Sequence, residues 1–150
     1  MAVKYDVELH LMKTEAEAYM KYLMCATNTL SGGSKLFMGL GNLTNGVFTE
    51  ITPTAENGYG RALINRSGDD PTNLITISGR TIRNHKQIVF PKCITTGYEA
   101  PALGLFRQET GGSAFAAGTM SAKLTAVPGS LPMFNIDDLQ MKIADGTEAK

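Results

Sequence analysis

The sequence predicts a mainly β fold: an antiparallel β-sandwich, jelly-roll-like, with one N-terminal α-helix and a short N-terminal arm. Three observations predict it. Roughly seven to nine short β-prone runs recur at about ten-residue spacing. Turn signals separate them, among them Asn45-Gly46, Gly68-Asp69-Asp70-Pro71, Gly111-Gly112 and Pro128-Gly129-Ser130. Only one stretch, near the N-terminus, has apolar residues at helical spacing.

In chain order, residues 1–12 form the arm. Val3, Tyr5, Val7, Leu9 and Leu11 alternate with Lys4, Asp6, Glu8 and His10, so an extended arm has one apolar face. The helix follows over residues 15–30. Thr14 and Glu17 make a capping box at its start, and Glu15 and Glu17 sit where the helix dipole favours negative charge. Ala16, Tyr19, Leu23, Ala26 and Leu30 form its apolar stripe, widened by Met20 and Met24. Ser31-Gly32-Gly33 ends it, because glycine tolerates positive φ.

Strands are expected at residues 35–40, 47–52, 59–65, 73–78, 81–83 and 87–90, the last closed by Pro91. More follow at 103–106, 114–117, 120–125 and 139–143. The final one alternates cleanly, Leu139-Gln140-Met141-Lys142-Ile143, with one wet face. Residues 145–150 form a polar tail. The expected organisation is one globular domain, with arm and helix over 1–33 and β-sandwich over 34–150.

Composition narrows function. The 150 residues are 43% hydrophobic and 19% charged, which suits a globular chain with a core of its own. Lys plus Arg and Asp plus Glu both number 14, so the formal net charge is zero and no nucleic-acid or anionic-membrane partner is suggested. No stretch approaches a membrane span in length, and residues 1–12 lack the apolar core of a signal peptide. Synthesis in a cytoplasm is the expectation. Near-zero charge also protects weakly against self-association, which suits a subunit of a larger assembly.

Motifs for chemistry are scarce. His10 and His85 are isolated from carboxylates and cysteines. Cys25 and Cys93 lie far apart in apolar settings, without the spacing of a zinc or redox motif. Gly32-Gly33-Ser34-Lys35 has the composition of a phosphate loop but not its spacing, and it precedes a strand instead of a helix. Asp69-Asp70 and Asp137-Asp138 are neighbours, so in an extended chain their carboxylates point apart. Six cations (Arg61, Arg66, Arg80, Arg83, Lys86 and Lys92) make the middle of the chain basic. No aromatics interleave with them as a nucleic-acid groove would require. The expectation is therefore no enzyme, no catalytic, cofactor-binding or metal-binding residues, and no cofactor.

Several segments in order resemble a family of small phage virion proteins usually labelled tail fibre proteins. Lys35-Leu36-Phe37-Met38-Gly39-Leu40 resembles the family's early Leu-Tyr-x-Gly-Leu strand. Glu56-Asn57-Gly58-Tyr59-Gly60-Arg61 resembles its Gly-Gly-Tyr-x-Arg turn and strand. Gln87-Ile88-Val89-Phe90-Pro91 is similar to its Ile-x-Phe-Pro strand end. Gly104-Leu105-Phe106 with Thr110-Gly111-Gly112-Ser113 is similar to its Gly-Ile-Phe-Asp…Thr-Gly-Gly-Asn hairpin, Arg107 replacing the Asp. Gly118, Val127-Pro128-Gly129-Ser130 and Asp138-Leu139-Gln140-Met141 continue the likeness, while Tyr98-Glu99 stands where the family has Trp-Gly.

The resemblance implies a structural virion protein of a tailed bacteriophage, in its tail fibre, collar or baseplate, that serves assembly or host attachment. The alternatives are a head decoration protein and a carbohydrate-binding module for host surface glycans. The expected partners are copies of itself, as a homo-oligomer and by analogy with fibres a trimer, and other virion proteins. In that assembly residues 1–12 are expected to reach onto a partner chain or another virion protein, the alternative being an arm folded back on its own sandwich.

Overall fold

In a computed structural model the chain is described over residues 4–12, 36–64, 74–78, 81–84 and 86–148, with backbone alone for 74–78 and 144–148. The described residues form eleven strands and no helix. The expected helix over 15–30 lies outside them, as do Cys25, Gly32-Gly33-Ser34-Lys35, Arg66, Asp69, Asp70, Arg80 and His85.

The strands are β1 (Tyr5–Leu11), β2 (Leu36–Thr44), β3 (Val47–Glu50), β4 (Ala62–Ile64), β5 (Leu74–Ser78) and β6 (Thr81–Asn84). They continue as β7 (Ile88–Val89), β8 (Tyr98–Phe106), β9 (Ala116–Ala126), β10 (Met133–Phe134) and β11 (Leu139–Glu148). Nine of them share one sheet in the order β3-β2-β8-β9-β1-β11-β6-β5, with β4 also pairing to β2. The long β2 serves two partners in turn. Its first residues pair with β4, and its last pair with β3 across Asn45-Gly46. Both turn residues have positive φ, the conformation that twists with a two-residue hairpin. Strands β7 and β10 form a separate two-stranded ribbon.

Alternation explains the core. Leu36, Met38 and Leu40 of β2 face the same way as Leu105 and Leu103 of β8, their register partners or neighbours. Val7 opposite Met120, Leu11 opposite Ala116, and Met141 opposite Ile82 extend that face across β9, β1, β11 and β6. All of them belong to one buried cluster, completed by Ile88, Phe90 and Phe134 from the ribbon. Phe134 packs edge-on to Tyr5 at 5.0 Å and to Phe90 at 6.0 Å between ring centres. In the middle of the sheet the second face is covered too, and Ala102 to Phe106 are buried without a break. Gly104 is a reason. A Cβ there would come within 2.9 Å of the Phe48 ring, which lies across it.

The sheet is mixed, not antiparallel as expected. Strand β1 runs parallel to β11, Tyr5 beside Leu139 through Leu9 beside Ile143, and antiparallel to β9. The two parallel strands stand near opposite ends of the sequence, so no hairpin constrains their relative direction. The arm is likewise corrected. It takes the alternative place, in its own chain: residues 5–11 fill the slot between β9 and β11, and Val7, Leu9 and Leu11 are buried there. The period-2 pattern was the signal of a strand, and an internal slot satisfies the amides on both its edges where a partner's edge would satisfy one.

Three smaller differences follow from packing. The two runs expected at 114–117 and 120–125 join, from Ala116 on, in one strand, β9; Gly118 marks close approach to the Glu8 carbonyl and not a break. Strand β8 begins at Tyr98, five residues earlier than its apolar run suggested. Met133-Phe134, which sequence spacing did not mark, pairs with Ile88-Val89.

Candidate functional site

The densest polar constellation lies where β3, β4 and the end of β8 meet. It starts from a turn. Asn57 Oδ1 accepts from the Thr54 and Tyr59 amides, its Nδ2 donates to the Thr52 carbonyl, and its own amide donates to Thr54 Oγ1. Asn57 thereby replaces backbone partners that a turn lacks. Gly58 follows at φ 65°, with the Lys92 carbonyl where a Cβ would stand.

That turn delivers Tyr59 and Arg61. The Tyr59 hydroxyl accepts from the Leu40 amide at 2.8 Å and donates to Glu50 Oε2 at 2.6 Å. Arg61 meets both Glu50 oxygens, Nε to Oε2 at 2.9 Å and NH2 to Oε1 at 2.8 Å. Its NH1 donates to the carbonyls of Gln108 at 2.7 Å and Gly111 at 2.8 Å. The guanidinium carbon sits 3.5 Å from the centre of the Phe106 ring, in cation–π contact. The Arg61 side chain is 4% exposed and that of Glu50 22%. A forked guanidinium fits this geometry where an ammonium could not. Burial first, and then the hydrogen bond to Glu50, hold the Tyr59 hydroxyl well above the ordinary tyrosine range.

Beside this cluster lies a shallow hollow of about 280 Å³, bordered by Glu50, Tyr59, Arg61, Glu109 and Thr110. Chemically the cluster is a latch. Tyr59 is bonded on both sides, and Arg61 clamps the loop after β8 to the end of β3. A second hollow, of about 430 Å³, lies on the outer face of β9, β1 and β11 between Asp6, Glu8, Thr119 and Lys142.

The other singled-out residues do not converge. His10 lies opposite Ala117 on β1. Asp137 and Asp138 meet different cations, although Asp137 stands in a turn at φ 66° and not in an extended chain: Asp138 pairs with Lys4 at 3.0 Å, and Asp137 stands 3.1 Å from Arg83 Nε, off-axis for a hydrogen bond. Cys93 is buried, its Sγ 3.3 Å from the Thr96 carbonyl. Of the basic middle, Arg61 and Arg83 are thus engaged with carboxylates, while Lys86 and Lys92 are exposed. Among the described residues no three His, Cys, Asp or Glu side chains are grouped to hold a metal ion. Their lack of a long apolar helix means that no helix among them crosses a membrane. Sequence spacing gave no sign of Glu50, whose partner is eleven residues on, nor of Phe106 as the seat of Arg61. The Tyr59-Gly60-Arg61 motif was the available signal.

No protein-family model matches the chain, and no curated protein matches it in sequence.

Proposed function

We propose that the chain is a structural protein of a tailed-bacteriophage virion, a tail fibre, collar or baseplate component that works in assembly or host attachment. One observation carries this reading. Motifs of the sequence resemblance, far apart along the chain, meet in the latch: Gly39-Leu40 through the Leu40 amide, Tyr59 and Arg61, Phe106, and Gly111 through its carbonyl. Pro91 joins them against Gly60, where a Cβ would stand 3.0 Å from the proline ring. Motifs that fasten loops to a sheet suit a protein whose task is to keep its shape under load. The fold is read in the same terms, as a jelly-roll-like sandwich in which the β7–β10 ribbon lies over the inner face of the large sheet.

The test is location. Mass spectrometry of purified particles, with cryo-electron microscopy of the same preparation, is expected to find the chain in the tail at stoichiometric copy number. Density on the head instead assigns it to decoration, and absence from particles overturns the virion reading.

A further inference from the structure

The sequence holds two Asn-Gly pairs, Asn45-Gly46 and Asn57-Gly58, and the fold treats them oppositely. An asparagine before glycine is open to attack by the next amide nitrogen on its own side-chain carboxamide, because glycine has no Cβ to crowd that nitrogen. Asn57 is 8% exposed and closed to this chemistry. Its Oδ1 accepts from the Thr54 and Tyr59 amides, and its Nδ2 donates to the Thr52 carbonyl. The nitrogen that would attack, that of Gly58, donates to the Thr54 carbonyl at 3.0 Å. Asn45, by contrast, is exposed at the tip of the β2–β3 hairpin. Among the described residues no hydrogen bond holds its carboxamide or the Gly46 amide. Asn45 and Gly46 stand at φ 53° and 77°, and ring closure needs Asn45 to swing out of the turn conformation. The hairpin allows this at small cost: β3 is four residues long and pairs with β2 alone among the described strands.

We propose that Asn45 is a site of spontaneous deamidation, through a succinimide formed with the Gly46 nitrogen; the inference stands independently of the virion reading. The Gly46 amide gives its proton to solvent base, and its nitrogen attacks Asn45 Cγ. A new C–N bond forms, the bond from Cγ to the side-chain nitrogen breaks, and that nitrogen takes up a proton and leaves as ammonia. Water then opens the five-membered ring. Opening at Cγ leaves aspartate. Opening at the main-chain carbonyl leaves isoaspartate, whose main chain continues through Cβ and Cγ. Either product turns a neutral amide into a carboxylate, so a chain of zero formal net charge gains one negative charge. Isoaspartate also lengthens the main chain of a two-residue turn whose twist sets the register of both strands. The pairing of Leu43 with Phe48 and of Thr44 with Val47 is therefore loosened. The far end of β3 stays held, because Glu50 is bonded to Tyr59 and Arg61. The modification frees the hairpin tip and leaves the latch closed.

Peptide mapping by mass spectrometry tests it, on the full chain incubated at mildly alkaline pH both folded and in concentrated urea. In urea neither pair is protected, and Asn45 and Asn57 are expected to convert at similar rates. In the folded chain Asn45 is expected to convert at least about 100-fold faster than Asn57, because the bonds of the Asn57 carboxamide and of the Gly58 amide must open first. Electron-transfer fragmentation separates isoaspartate from aspartate, and circular dichroism checks that the folded sample stays folded. Asn45→Gly keeps a turn of two residues that tolerate positive φ, and it should abolish the main acidic shift of the folded chain on ion exchange. Hydrogen exchange on the isoaspartyl fraction should show protection lost at residues 43–48 and kept at 107–113. An Asn45 that stays an amide in the folded chain, an Asn57 that keeps pace with it there, or an acidic shift that persists in Asn45→Gly overturns the proposal. Loss of protection at 107–113 as well overturns the confinement of the change to the tip.

Discussion

Replacing Arg61 with alanine tests whether the latch holds the structure or merely decorates it. The substitution removes two hydrogen bonds to Glu50, two to the carbonyls of Gln108 and Gly111, and the contact with the Phe106 ring. It leaves Glu50 with the Tyr59 hydroxyl as its one remaining side-chain partner in the latch. Breaking a buried ion pair from one side costs about 3–5 kcal/mol, since the other charge stays behind unpaired. Glu50 retains some water contact at 22% exposure, which places the expected loss near the lower bound, about 3 kcal/mol. For a domain of this length that lowers Tm by about 6–12 °C. Urea unfolding followed by circular dichroism gives the free energy. Hydrogen exchange should show the amides of residues 107–113 losing protection first, because Arg61 is what ties that loop down. Arg61→Lys should recover only part of the loss, as an ammonium cannot span both carboxylate oxygens and two carbonyls. A loss under about 1 kcal/mol would place the pair with ordinary surface salt bridges and refute the reasoning.

Two further predictions rest on β1 and on buried tyrosines. Deleting residues 1–12 removes Val7, Leu9 and Leu11, worth about 1.5–3 kcal/mol each, and opens the facing edges of β9 and β11. That approaches the whole stability of a typical domain, so the truncated chain should show no cooperative thermal transition; a truncated chain that melts like the full one refutes the central placement of β1. Burial, and next the neighbouring Cys93, push the Tyr98 hydroxyl up to about 12, and Tyr59 is shifted in the same direction. The folded state therefore keeps protons that the unfolded chain releases near pH 10. The associated stability is complete below pH 10 and falls as pH rises towards 12. The Tyr98 hydroxyl is buried without a hydrogen-bond partner among the described residues, so Tyr98→Phe should hold or raise stability at pH 7, by up to about 1 kcal/mol, and flatten the alkaline decline. Denaturant titrations at pH 7 and at pH 11 measure both effects; a substantial loss at pH 7 would mean that the hydroxyl has a partner.

Strand positions were legible because burial on one face writes itself into the chain at period two. Leu139 to Ile143 and Tyr5 to Leu11 show it plainly, and both are strands. Their adjacency was not legible. Alternation says which residues face a core, but the choice between β1 at a partner's edge and β1 between β9 and β11 depends on which slot leaves fewest amides unpaired, a property of the assembled sheet. Period two also fails where both faces are covered. In β8 the run from Ala102 to Phe106 has no polar residue to mark the alternation, and its first half, with Glu99 exposed, carries too little apolar character to announce a strand.

The latch was half-legible for a different reason. Tyr59, Arg61, Phe106 and Gly111 each stood in a motif of the resemblance, but nothing in a linear motif states that Arg61 lies on Phe106 and grips Gly111. Glu50 stood in none, because a carboxylate at the end of a short strand has the same appearance whether it is solvated or bound to a buried guanidinium. The ribbon shows the limit from the other side. Ile88-Val89-Phe90 and Leu131-Pro132-Met133-Phe134 are apolar at every position, so no alternation distinguishes a buried face from an open one. Only the pairing of Val89 with Met133, opposite to that of Ile88 with Phe134, separates the face that fills the core from the face that stays in solvent.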